Sequence, residues 1–138
     1  MARVISLIED NTHIFTIDSG STRENLLVYL ESTTNKKVAL ANANSMSTSV
    51  VIGVIMTDNG TTVTTELLET AAEITCVPQT GITLASGDNV FLSDVEAGTI
   101  TNVPPSVQSR VVFRIGVVDV INVSTAIIAT SIGQPIEL

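Results

Sequence analysis

The sequence predicts an all-β protein, a small β-sandwich or barrel with at most one short helix. Three observations lead there. Val, Ile and Thr dominate while Ala-, Glu- and Lys-rich stretches are missing, and β-branched side chains sit more easily on a pleated surface than in a helix. Short apolar runs recur at close spacing with Gly, Pro, Asn and Asp between them, as in successive hairpins. From Arg110 the positions Val111, Phe113, Ile115 and Val117 are apolar while Arg110 and Arg114 fall on the other face, a period of two.

Taken in order, Val4 to Ile8 and Ile14 to Ile17 flank the polar turn Glu9-Asp10-Asn11-Thr12 and form the first expected hairpin. Asp18-Ser19-Gly20-Ser21 breaks the pattern. Leu26 to Glu31 and Val38 to Ala41, joined by a polar loop from Ser32 to Lys37, suit a second hairpin. Ser21-Thr22-Arg23-Glu24 also matches a helix capping box, so a helix is the alternative for the leucines that follow. Val50 to Thr57 is apolar on both faces, as a central strand covered on both sides requires, and Asp58-Asn59-Gly60 turns it into Thr61 to Thr65.

Glu66 to Glu73, with Leu67, Leu68, Ala71 and Ala72, is the best helix candidate, with one more strand as the alternative. Ile74 to Val77, Asn89 to Ser93 and Thr99 to Asn102 read as strands, separated by a loop with Pro78 and Gly81 and by the turn Glu96-Ala97-Gly98. The alternating stretch from Arg110 follows, breaks at Asp119 and Asn122, and leaves Ala126 to Ala129 as the last strand. Only four aromatics are present, Phe15, Tyr29, Phe91 and Phe113, so the core is expected to consist of small branched aliphatics. No linker, charge block or repeat divides residues 1–138, which read as a single β-rich domain. Within it, 1–20 is a candidate attachment segment and 50–138 a more patterned β module.

Composition narrows the function. Six Lys plus Arg stand against fourteen Asp plus Glu, a net charge of -8, and the basic residues are scattered, which argues against nucleic acid as a partner. Val50 to Met56, the longest apolar run, falls far short of the roughly 20 residues of a membrane span. The first residues lack a basic region followed by a long apolar one, so no signal peptide is expected and folding is placed in a cytoplasm. The Asn59-Gly60-Thr61 and Asn122-Val123-Ser124 sequons then have no route to use. Charged residues make up 14%, against about 25% in a typical domain, so much of the surface is expected to lie between subunits.

Candidate chemistry is sparse. His13 sits in a polar stretch with no nucleophile signature nearby and reads as a solvated loop histidine. Cys76, in an apolar run, reads as a small buried core residue. With one Cys and one His, neither an internal disulfide nor a Cys/His zinc site can form. Asp88, Asp94 and Glu96 flank one hairpin but lack the spacing of a calcium loop and read as exposed turn residues. The glycines match no phosphate loop and read as turn and close-packing positions. No catalytic, cofactor or metal residue is assigned.

What remains is structural patterning. Gly87-Asp88 turns the chain into Asn89-Val90-Phe91-Leu92-Ser93, Gly98 permits a tight return into Thr99-Ile100-Thr101, Pro104-Pro105 stiffens a connection, and Gly116 within Arg114-Ile115-Gly116-Val117-Val118 admits another backbone. This order, preceded by the strand Val50 to Ile55, resembles the C-terminal part of capsid decoration (cement) proteins of tailed bacteriophages over Val50 to Val118. The resemblance implies a non-enzymatic virion protein on the outer surface of the capsid. There it would act as a homotrimer that binds the major capsid protein and clamps neighbouring capsid subunits. Related modules in tail fibres, spikes and baseplates supply the alternative. An extended apolar segment can add to an exposed sheet edge, so residues 1–17 are the expected element that reaches the shell. The expected capsid or subunit interface residues are Arg3, Ile5, Leu7 and Phe15, with Arg110 and Arg114 as the cations best able to meet an acidic neighbour.

Overall fold

The computed structural model describes residues 12–138. It is all-β apart from a single helical turn. In chain order the elements are β1 (Thr12–Thr16), β2 (Leu27–Ser32), β3 (Lys37–Leu40), α1 (Met46–Ser49), β4 (Val51–Asp58), β5 (Thr62–Leu67) and β6 (Glu73–Cys76). They continue as β7 (Asn89–Leu92), β8 (Ile100–Thr101), β9 (Val111–Val112), β10 (Arg114–Ile121), β11 (Ala126–Thr130) and β12 (Ile136–Glu137). No helix among the described residues is long and apolar enough to cross a membrane.

The first five strands close into a barrel in the order β1-β3-β2-β4-β5, and β6-β11-β10-β7-β8 form a second sheet. Ile17, Val28, Val38, Ile55 and Val63 fill the barrel, with Phe15, Leu30, Leu40 and Ile52 packed around them. A larger core, including Leu27, Val54, Ile74, Leu92, Ile100, Ile115 and Ile128, lies between the barrel and the second sheet. β2 and β4 are therefore walls common to both cores: Val28 and Ile55 point into the barrel, Leu27 and Val54 out of it. That is the physical reason for the two-faced apolar run from Val50. A register shift opposite Val28 and Tyr29 takes up one residue of β4 and keeps both faces apolar. Backbone bonds Leu27 N–H to Gly98 C=O, Gly98 N–H to Ala41 C=O and Ala43 N–H to Ser93 C=O stitch barrel to sheet.

The hairpin of β2 and β3 forms as expected, with Val28 opposite Leu40 and Leu30 opposite Val38. Asp58-Asn59-Gly60 turns β4 into β5, with Gly60 at φ 100°. Two helix candidates are not helical. After Ser21-Thr22-Arg23-Glu24 a turn at Glu24 and Asn25 leads into β2, because Leu27 and Val28 serve opposite cores, which a strand permits. In Glu66 to Glu73, Glu66 and Leu67 extend β5, a turn buries Leu68, and Glu73 already opens β6. The helix that does form, α1, lies in the polar run Ser45 to Ser49, where Thr48 Oγ1 donates to the Asn42 carbonyl at 2.8 Å.

The C-terminal half ends in a long ribbon. β10 pairs with β11, Ser131 N–H and Gly133 N–H reach the Ile115 and Arg114 carbonyls, and β9 pairs with β12. Alternation holds from Arg110 to Ile115 and then fails: Ile115 and Gly116 are buried in succession, Val117 is half-buried and Val118 enters the core. The cause is a bulge between Arg114 and Gly116 against β7, which shifts the buried side by one residue. Gly116 fits the close-packing role expected of it, since a Cβ there would collide with the Ala129 carbonyl and the Ile128 side chain.

Candidate interaction surfaces

β1 is supported unevenly. It pairs with β5 at five positions, Thr12 to Thr16, but with β3 only at Thr16 opposite Lys37. Thr16 N–H bonds to the Lys36 carbonyl on the β3 side and Ile17 N–H to the Thr61 carbonyl on the β5 side. Strand backbone groups alternate, so Ile14, like Thr16, presents its N–H and C=O to the β3 side. β3 does not extend that far. Among the described residues that length of β1 is an unpaired edge, and the Ile14 side chain is 72% exposed.

A cleft of about 690 Å³ lies against this edge, lined by His13, Ile14 and Phe15 of β1, by Leu30, Thr33 and Lys36 of the β2–β3 hairpin, and by Thr64. Phe15 is half-buried, packs on the barrel core, and stacks with His13 at a centroid distance of 6.4 Å. His13 thus corrects the loop assignment: it lies in β1, exposed, at the mouth of an apolar cleft. Sequence reasoning singled out Phe15 but missed Leu30 and Lys36. The only local signal for them was the polar Ser32 to Lys37 loop, whose contact with β1 is tertiary. Arg3, Ile5 and Leu7, and with them the Val4 to Ile8 strand, lie outside the described residues.

Below the cleft the barrel end is braced electrostatically. The Arg23 guanidinium grips Asp58 with two bonds, Nε to Oδ2 at 2.8 Å and Nη2 to Oδ1 at 3.1 Å, and also donates to the Asp18 and Gly60 carbonyls. The Asp58 side chain is 1% exposed. The hydrogen-bonded Arg23 and the Gly60 N–H hold its carboxyl down at about 2, against an opposing push from burial. Lys37 joins Asp18 at 2.8 Å and Glu31 at 3.1 Å, which ties the end of β1 to the β2–β3 hairpin.

Arg110 and Arg114 lie far from the cleft, on the C-terminal ribbon. Burial alternates through Arg110, Val111, Val112, Phe113 and Arg114, which puts both arginines and Val112 on the outer face as the period of two requires. Ile136 stands opposite Val112 and is 59% exposed. Neither arginine has an ion pair among the described residues, whereas Arg23 and Lys37 do. Arg114 Nε is also buried without an acceptor among the described residues. Of the expected interface residues that are described, Phe15 belongs to the β1 cleft and the two arginines to the ribbon.

The other singled-out groups have local roles. Cys76 is fully buried, and burial pushes its thiol pKa far up. Asp88 accepts from Ala85 N–H and Asn102 Nδ2, which hold its carboxyl below the usual range. Glu96 accepts from Thr80 N–H at 2.8 Å. Among the described residues no group of three or more His, Cys, Asp or Glu gathers as metal ligands would. By fold the chain is an all-β protein of a small barrel joined to a second sheet, with open clefts and apolar strand ends on its surface. It matches no protein-family model, no curated protein and no solved structure at significant similarity.

Proposed function

We propose that this chain is a structural protein of a tailed-bacteriophage virion. In this reading it is a homotrimer that binds the outer surface of the capsid and stabilises contacts between major capsid subunits. The observation that carries the reading is the edge of β1 that is unpaired among the described residues, beside an apolar cleft. An edge of this kind recognises an extended partner segment through main-chain bonds, with Phe15 and Leu30 offering apolar contact to alternate side chains. Further support comes from exposed Val95, Val103 and Val107 on one group of loops and Val120, Ile121 and Val123 at the ribbon tip. Apolar side chains in such numbers on a protein with few charges suit a molecule that works while covered. Repetition over a symmetric shell then turns weak individual contacts into tight attachment.

Two variants test it. Deletion of residues 2–12 is expected to abolish binding to purified heads while leaving the rest folded. Ile14→Pro removes one N–H from the open edge and leaves the ladder to β5 intact, since that N–H points the other way. It should reduce head occupancy at least tenfold without lowering thermal stability by more than a few degrees. Full occupancy by either folded variant would overturn the proposal.

A further inference from the structure

We propose that copies of this chain join head to tail, the outer face of the C-terminal ribbon of one copy docking on the acidic β5–β6 corner of the next. This deepens the reading above by naming the contact between its subunits.

The ribbon face presents two cations that form no ion pair among the described residues, although the ribbon's own Glu137 stands opposite Val111. Arg110 and Arg114 flank Val112 on one face, and Ile136 stands across from Val112 with its side chain exposed. In a chain of net charge -8, these two guanidinium groups form no ion pair among the described residues and stand close together along one face. Arg114 Nε is covered by its own chain and finds no acceptor among the described residues, so a docking carboxylate would meet the outer guanidinium nitrogens instead.

The complementary surface is on the same chain. Glu69 lies exposed in the turn after β5, and Glu73 opens β6, an edge strand of the second sheet. Glu73 borders a cleft of about 210 Å³ whose apolar wall includes Met56 and Ile127. This surface offers Glu73 at the border of a recess whose apolar wall of Val54, Met56, Ile74 and Ile127 can accept a side chain such as Ile136.

Within one copy the two surfaces form no ion pair among the described residues: Glu73 stands opposite Ala129 of β11, whereas Val112 stands opposite Ile136 of β12 in a separate two-stranded sheet. Two different, complementary patches on one chain make a heterologous contact, and such contacts close into rings under cyclic symmetry. The bidentate geometry of guanidinium on carboxylate fixes orientation, and the apolar centre supplies burial.

The test needs no capsid, so it stands apart from the attachment reading. The mass of the free full-length protein is measured by sedimentation and light scattering at 0.1 M and 0.5 M salt. The wild type should be oligomeric, with association at least tenfold weaker in high salt. R110E/R114E and E69R/E73R should each be folded monomers. The fourfold variant carrying both reversals should assemble again, a result that general loss of stability cannot produce. Should the reversals fold poorly, R110Q/R114Q keeps much of the side-chain bulk without the charge and should associate at least tenfold more weakly. A monomeric wild type, a folded R110Q/R114Q that assembles as tightly as wild type, or a folded fourfold variant that stays monomeric would overturn the proposal. Association that requires an added acidic protein instead of a second copy would overturn it too.

Discussion

Replacing Asp58 by Asn tests whether the Arg23 brace holds the barrel end. Asp58 accepts four hydrogen bonds, from Arg23 Nε, Arg23 Nη2, Arg23 N–H and Gly60 N–H, with its side chain 1% exposed. Asn keeps the shape but removes the charge and turns an NH₂ group toward the guanidinium, leaving Arg23 desolvated and uncompensated. Breaking a buried pair in this way costs about 3 kcal/mol. With a urea slope of about 1.5 kcal/mol per M, the unfolding midpoint should fall by about 2 M at pH 7. The pH dependence carries an independent signature. A carboxyl held at about 2 in the fold against an ordinary 3.8 contributes about 2 kcal/mol of stability. Because its pKa is lowered by folding, that contribution is complete above pH 4 and is lost as the pH falls through about 2. The stability gap between wild type and D58N should therefore narrow by about 2 kcal/mol from pH 5 to pH 2. A midpoint shift below about 0.5 M, or a gap that stays constant with pH, would refute the reasoning.

Two further predictions concern the second core. Gly116→Ala forces β10 away from the Ala129 carbonyl and should cost about 2 kcal/mol, seen as a clear fall in the thermal midpoint; an unchanged midpoint would contradict the packing described. Cys76, fully buried with its thiol pKa raised, should not react with a thiol reagent at pH 8 until urea unfolds the chain. Rapid labelling of the native protein would show that this core opens.

Local pattern made much of the fold legible. β-Branched runs marked most strands, the two-faced run at Val50 marked the wall common to both cores, and Gly60 and Gly98 marked turns that need positive φ. The misreadings arose where tertiary contacts decide. Leu67, Leu68, Ala71 and Ala72 have helical spacing, yet pairing of Leu67 with Gly53 draws the start of the segment into β5. The bulge beside Ile115 depends on β7, more than twenty residues earlier in the chain, and no period within β10 could announce it. Of the candidate surfaces, the arginines were readable because alternation alone placed them outward. The β1 cleft was not, since it arises where β3 ends short of Ile14. Arg23 and Asp58, 35 residues apart, carried no joint signal.

The most direct test of the central claim is the copy number of this protein in purified virions relative to the major capsid protein, by quantitative mass spectrometry. A lattice-wide decoration protein should be present in numbers comparable to the shell subunit. A copy number far below that would move it to the tail or a single vertex, and absence from virions would contradict the account altogether.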